Sequence, residues 1–131
     1  MTKYIFSLTL LALLLSACSS SSDALTGEWR LSKLNGADLV AGTNVTMVFD
    51  EKQVSGTGGC NSYSGGYSVK GGKITFSDLA MTLMACLDQK ANQQEADYFI
   101  ALNQVDKFTV SQDSLELTGS NVSLEFVKAN P

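Results

Sequence analysis

The sequence predicts a mostly β (α+β) fold: a curved antiparallel sheet or open barrel of seven to eight strands packed on one helix in the C-terminal half. Three observations predict it. Short runs alternate apolar and polar residues, the period of a half-buried strand. Pairs of Gly, Asn and Asp punctuate those runs as turns. One segment alone carries apolar residues at helical spacing. A single amphipathic helix among short antiparallel strands buries its stripe only if the sheet curls round it.

The first strand is Gly27–Leu34, with Trp29 and Leu31 on one face and Arg30 and Ser32 on the other. Asn35-Gly36 is a turn, and the residues up to Thr43 read as loop, with Leu39 and Val40 available for packing. Val45–Asp50 alternates again, with Val45, Met47 and Phe49 inward; Glu51-Lys52 turns the chain into a strand over Gln53–Thr57. The glycine-rich stretch Gly56–Tyr67 follows, then a strand at Tyr67–Val69, a tight turn at Gly71-Gly72 and a strand over Lys73–Phe76. Asp78–Leu87 is the least periodic part. Its Leu79, Met81, Leu83 and Met84 are too apolar for a solvated loop, so an irregular segment crossing the open end of the sheet is expected.

Tyr98, Ala101, Leu102 and Val105 fall at i, i+3, i+4 and i+7, and Phe99 widens the stripe. Asn92 with Glu95 fits an N-cap and capping-box pair; an earlier start capped by Asp88 is the alternative. Strands at Lys107–Val110, Ser114–Leu117 and Val122–Phe126 close the chain, with Leu115/Leu117 and Val122/Leu124/Phe126 inward.

The N-terminal segment has a different composition. Lys3, an apolar run from Leu8 to Leu15, and small residues before Cys18 have the layout of a secretory signal. Leu15-Ser16-Ala17-Cys18 is similar to the bacterial lipobox, which implies cleavage before Cys18 and lipid on its sulfur. Several acyl chains anchor a protein far better than one. Residues 1–17 therefore read as a lipoprotein signal peptide and 18–24 as the lipidated cysteine and a flexible serine-rich tether. Residues 25–131 form the domain. Because Ser19, not aspartate, follows Cys18, resemblance to Gram-negative lipoproteins implies the periplasmic face of the outer membrane.

Export puts Cys60 and Cys86 in an oxidising compartment, where a disulfide is expected; two buried free thiols are the alternative. Closing the loop between them would stabilise the fold by about 3.5 kcal/mol on the chain-entropy relation.

Four groups of residues carry a resemblance: Gly27-x-Trp29-x-Leu31, Gly59-Cys60-Asn61-x-Tyr63-x-Gly65-x-Tyr67, Thr82-x-Met84-Ala85-Cys86 and Glu95-x-x-x-Phe99-x-x-Leu102. Together they resemble the META domain of HslJ-type bacterial lipoproteins. The resemblance implies a small exported lipoprotein with a curved sheet and one helix, linked to heat shock and novobiocin tolerance. It also implies a fold likened to secretin pilotins. It supplies no catalytic residues.

The residues themselves point to a non-enzymatic protein. The chain has no histidine, so a cysteine nucleophile would lack its usual base, and neither a nucleophile elbow nor a phosphate loop is present. The carboxylates do not cluster at ligand spacing, so no metal or other cofactor is expected. Without Lys3 the chain keeps 13 acidic against eight basic residues, a poor balance for nucleic acid. The expected contacts are the membrane, through lipid on Cys18, and an envelope protein, with the chain itself a monomer. Asn61, Tyr63 and Tyr67, flanked by glycines, are the candidate partner contacts, with packing in the core as the other reading; Asn61 is also expected to fold the tight turn after Cys60. Two rival roles stand beside an envelope binding module. One is a pilotin-like chaperone holding an apolar peptide or acyl chain inside the sheet. The other is a peptidase or lysozyme inhibitor presenting a rigid loop at residues 61–66.

Overall fold

The computed structural model describes residues 21–130; the signal segment and Cys18 lie outside the described residues. A short helix α1 (Ser21–Leu25) precedes β1 (Gly27–Leu34), β2 (Ala37–Asp38), β3 (Thr46–Asp50), β4 (Gln53–Thr57), β5 (Ser62–Lys70) and β6 (Lys73–Met81). Helix α2 (Gln89–Gln104) and strands β7 (Lys107–Val110), β8 (Ser114–Thr118) and β9 (Ser123–Lys128) complete the chain. All strand pairs are antiparallel, in the order β2-β1-β3-β4-β5-β6-β7-β8-β9. Strand β9 pairs back onto β1, so the sheet curls into a ring. Its weakest seam is β6–β7, joined at the single residue pair Lys73–Lys107 with flanking bonds from Ile74 N to the Asp106 carbonyl and from Phe108 N to the Gly72 carbonyl.

The mostly-β fold with a C-terminal-half helix agrees with the sequence; the details differ in four places. Helix α1 takes in residues read as tether, because Leu25 is fully buried against the sheet. The pair β2 forms inside the loop after Asn35, through Lys33–Asp38 and Leu34–Ala37. Strand β5 begins at Ser62, inside the glycine stretch, because its side chains still alternate and its backbone pairs fully with β4. Strand β6 runs on to Met81 through a bulge at Asp78, whose φ is +52°.

The alternating residues meet inside the ring. Trp29, Met47, Phe49, Leu117, Leu124 and Phe126 from the strands pack with Tyr98 and Leu102 from α2, all essentially inaccessible. Trp29 is fixed three ways. Its Nε1 donates to the Leu25 carbonyl at 2.7 Å, Lys128 Nζ lies 4.3 Å from its ring, and that ammonium donates to the Thr26 carbonyl. The start of the domain is thereby bound to its last strand. Burying Leu25 alone is worth about 1.5–3 kcal/mol.

Helix α2 starts one turn before the Asn92–Glu95 pair. Asp88 is the N-cap: its Oδ1 accepts from Lys90 N and Ala91 N. Glu95 is thereby freed from capping and turns inward.

Replacing Trp29 with alanine should lower the unfolding free energy by about 3–5 kcal/mol, through loss of packing and of the bond to Leu25. Urea unfolding followed by far-ultraviolet circular dichroism measures this without relying on the indole signal.

Candidate functional site

The richest polar cluster of the domain lies where the β4–β5 turn, the segment after β6 and the start of α2 converge. Cys60 and Cys86 form a disulfide there, with Cα atoms 5.7 Å apart. The staple links the β4–β5 turn to the residues just before α2. The expectation of two paired cysteines therefore holds.

Glu95 does not cap the helix; it faces inward. Only 5% exposed, its carboxylate accepts from Cys60 N at 3.0 Å and Asn61 N at 2.5 Å through Oε1, and from Asn61 Nδ2 at 2.7 Å through Oε2. A buried carboxylate is costly unless its lone pairs are filled, and three N–H donors fill them here. The charge is stabilised by two backbone amides of a turn it simultaneously holds in shape. Gly58 makes the approach possible: a Cβ there would sit 2.8 Å from Glu95 Oε1 and 2.9 Å from Phe99 Cε2. The sequence signal that could have found this role was the position of Glu95 on the apolar side of the helix, one turn before Phe99.

Asn61 works from the other side. Its Oδ1 accepts from Met84 N at 2.7 Å and Thr82 Oγ1 at 2.8 Å, and its Nδ2 donates to the Met84 carbonyl at 3.0 Å as well as to Glu95. All four hydrogen-bonding positions of the amide are used. The side chain thus takes the place of a strand residue beside Met84. Its reach extends across to another segment, where a local turn contact was expected.

The three residues expected to face a partner are turned inward. Asn61, Tyr63 and Tyr67 are all buried. Tyr63 donates its hydroxyl proton to the Thr46 carbonyl at 2.9 Å, which leaves Tyr98 as the donor in the 2.7 Å bond between the two hydroxyls. Tyr67 donates to the Glu51 carbonyl and stacks edge-on against Phe49. Burial is favoured because each hydroxyl finds an internal acceptor or donor. Desolvation raises the ionisation range of Tyr63 and Tyr98 above that of free tyrosine. The inhibitor loop expected at residues 61–66 is likewise absent, because residues 62–66 belong to β5.

What reaches solvent instead is the segment between β6 and α2. Leu83 is 91% exposed, Leu87 is fully exposed and Met84 is 59% exposed, against the expectation of burial for this apolar run. Met81 at the end of β6 is also exposed. The physical reason is that the disulfide and Asn61 fix the backbone of 82–86 at the rim, where its side chains have no sheet to fall on. The result is a backbone-locked loop carrying apolar knobs.

Cys60, Cys86 and Glu95 bring their donor atoms within 4.8 Å of one another. Metal ligation by cysteine needs thiolate, whereas here the sulfurs are bonded to each other and the carboxylate is filled by N–H donors. The chemistry of this set is that of a latch.

A ring-like antiparallel sheet with one long helix and a latched rim defines a small β-barrel-like protein. The chain belongs to the META domain family, whose model matches residues 23–131. It is similar to a protein from Burkholderia xenovorans solved by NMR, at 27% identity over 84% of this chain and 87% of that one, with a TM-score of 0.72. A second NMR structure shares 23% identity over 83% and 95% of the two chains, with a TM-score of 0.69. A lipocalin-like protein from Bacteroides uniformis shares the fold at 21% identity, 81% and 99% coverage and a TM-score of 0.53. No curated protein matches the chain.

Two predictions test this site. Glu95→Gln keeps the shape but sets an amide N–H₂ against N–H donors, and should destabilise the fold by about 2–3 kcal/mol in urea unfolding. The tyrosine pair gives a pH dependence. Unfolded tyrosines ionise near pH 10; Tyr63 and Tyr98 in the fold ionise higher. Their contribution is complete below about pH 10 and is lost as the pH rises above it. The urea midpoint should therefore fall between pH 9 and pH 11, and less so in Tyr98→Phe; an unchanged midpoint in the parent chain contradicts the assignment.

Proposed function

We propose that this META-domain chain is a non-enzymatic, lipid-anchored envelope lipoprotein that acts by binding, through the loop after β6. The exposure of Leu83, Met84 and Leu87 on a backbone fixed by the Cys60–Cys86 disulfide and the Asn61 amide carries this reading. Apolar side chains displayed on a locked loop cost little ordering entropy when a partner covers them. The lipobox at Leu15–Cys18 supports the anchor, and the serine after Cys18 supports the outer membrane. The family resemblance supports a role in envelope integrity or in tolerance of stress and novobiocin-type antibiotics.

The filled interior counts against a chaperone that holds an acyl chain within the sheet. Trp29, Met47, Phe49, Tyr98, Leu117 and Phe126 occupy that space. The reactive groups of the latch are occupied by one another, which supports binding over catalysis.

Metabolic labelling with a tagged fatty acid should mark the mature chain, and Cys18→Ala should abolish both the label and membrane retention. A chain that fractionates as soluble and is unchanged by Cys18→Ala overturns the anchor. The paired change Leu83→Ser with Leu87→Ser should leave the thermal midpoint within a few degrees yet fail to rescue the envelope phenotype of a deletion strain. Full complementation by that variant overturns the binding role of the loop.

A further inference from the structure

The seam between β6 and β7 leaves a second feature beside the loop. Beyond Ile74, among the described residues, no strand pairs with β6 on the side away from β5. Among the described residues, no turn or loop backbone hydrogen bond from residues 75–81 is formed on that side either. One row of backbone N–H and C=O groups therefore stands without a partner, and Thr75, Ser77, Ala80 and Met81 along it are exposed. An edge of this kind is matched only by another extended backbone, since nothing else repeats donors and acceptors at strand spacing. The side chains specify the occupant further. Phe76 and Leu79 are half-buried toward the core, so an added strand would set alternate apolar residues beside them. Leu83, Met84 and Leu87 continue the apolar surface past the strand end.

Charge narrows the choice. From Thr75 to Gln89 the only charged residues are Asp78 and Asp88, both exposed. A second copy pairing edge to edge would bring Asp78 of one chain toward that of the other, a like-charge contact that opposes self-association. On the reading of Cys18 as a lipid anchor, the bilayer is an equally poor occupant. Only a three-residue step, about 10 Å when extended, separates Cys18 from Ser21. Ser22 lies beside Glu51, Lys52 and Tyr67. The loop is tied instead to Asn61 and Ser62, at the other end of β5, about 17 Å away along the strand. The apolar rim thus stands at the end of the ring away from Ser22.

We propose that the outer edge of β6, with the loop that follows, accepts an extended segment of a partner protein as an added β-strand. The segment is apolar at alternate positions and flanked by lysine or arginine. The proposal rests on the reading of this chain as a binding module and names the class of its partner. The bulge and charge at Asp78 interrupt the edge and restrict it to a complementary segment.

The test uses the full chain in detergent micelles and a capped ten-residue peptide of alternating valine and threonine flanked by lysines. Its comparators carry backbone N-methyl groups on alternate residues, one comparator for each edge of the peptide. The expected result is saturable binding by fluorescence anisotropy, with slowed amide exchange confined to residues 75–87. One of the two N-methylated comparators should bind at least tenfold more weakly. Leu83→Ser with Leu87→Ser should weaken binding severalfold, and Ile100→Ser on the exposed face of α2 should not. Equal binding of the peptide and both comparators, absence of binding, or protection of residues 75–81 that appears on concentrating the protein without peptide each overturns the proposal. A soluble Cys18→Ala phenotype bears on the anchor alone and leaves this result standing.

Discussion

The rim of this domain depends on one buried negative charge. Glu95 cannot leave water without donors, and the donors are the backbone amides of Cys60 and Asn61 together with the Asn61 side chain. Satisfying it therefore fixes the β4–β5 turn onto helix α2. The same fixation places Cys60 within bonding distance of Cys86 and aims the Asn61 amide at Met84. Turn, helix and loop are held by one set of interactions, and among the described residues no buried side-chain nitrogen or oxygen is left without a partner. Loss of any member exposes the others to the cost of an unpaired buried group.

This arrangement explains how an apolar loop persists at the surface. A segment such as Leu83–Leu87 would normally fold back to bury its side chains. Here its backbone is spent on Asn61 and its end is covalently held, so collapse is blocked. The interior does not need it: Trp29, Phe49, Tyr98 and Phe126 already fill the ring. The domain thus separates a packed half that supplies stability from a rim that leaves Leu83, Met84 and Leu87 exposed.

The incomplete seam has the same origin. Residues that would extend β7 backward, before Lys107, belong instead to helix α2, which must cross to reach the β4–β5 turn. Strand β6 consequently outruns its neighbour. The helix that builds the latch is the reason that, among the described residues, this edge of β6 stays unpaired.

Much of the fold was legible in the sequence because alternation and helical spacing are local signals. Trp29/Leu31, Val45/Met47/Phe49, Leu115/Leu117 and Leu124/Phe126 all face the core as their periods indicate. The Cys60–Cys86 pairing agrees with what the sequence led one to expect. Three things were settled by tertiary structure. The tyrosines Tyr63 and Tyr67 are core residues because acceptors from distant strands receive their hydroxyl protons. Glu95 is a buried anchor, which no capping rule conveys, because its donors lie 34 and 35 residues away. Leu83, Met84 and Leu87 are exposed because long-range bonds outweigh their own hydrophobicity. The sequence by itself determined most of the strands and helix α2, since those choices depend on neighbours in the chain. The rim was decided by contacts between segments far apart, and only the folded chain brings those together.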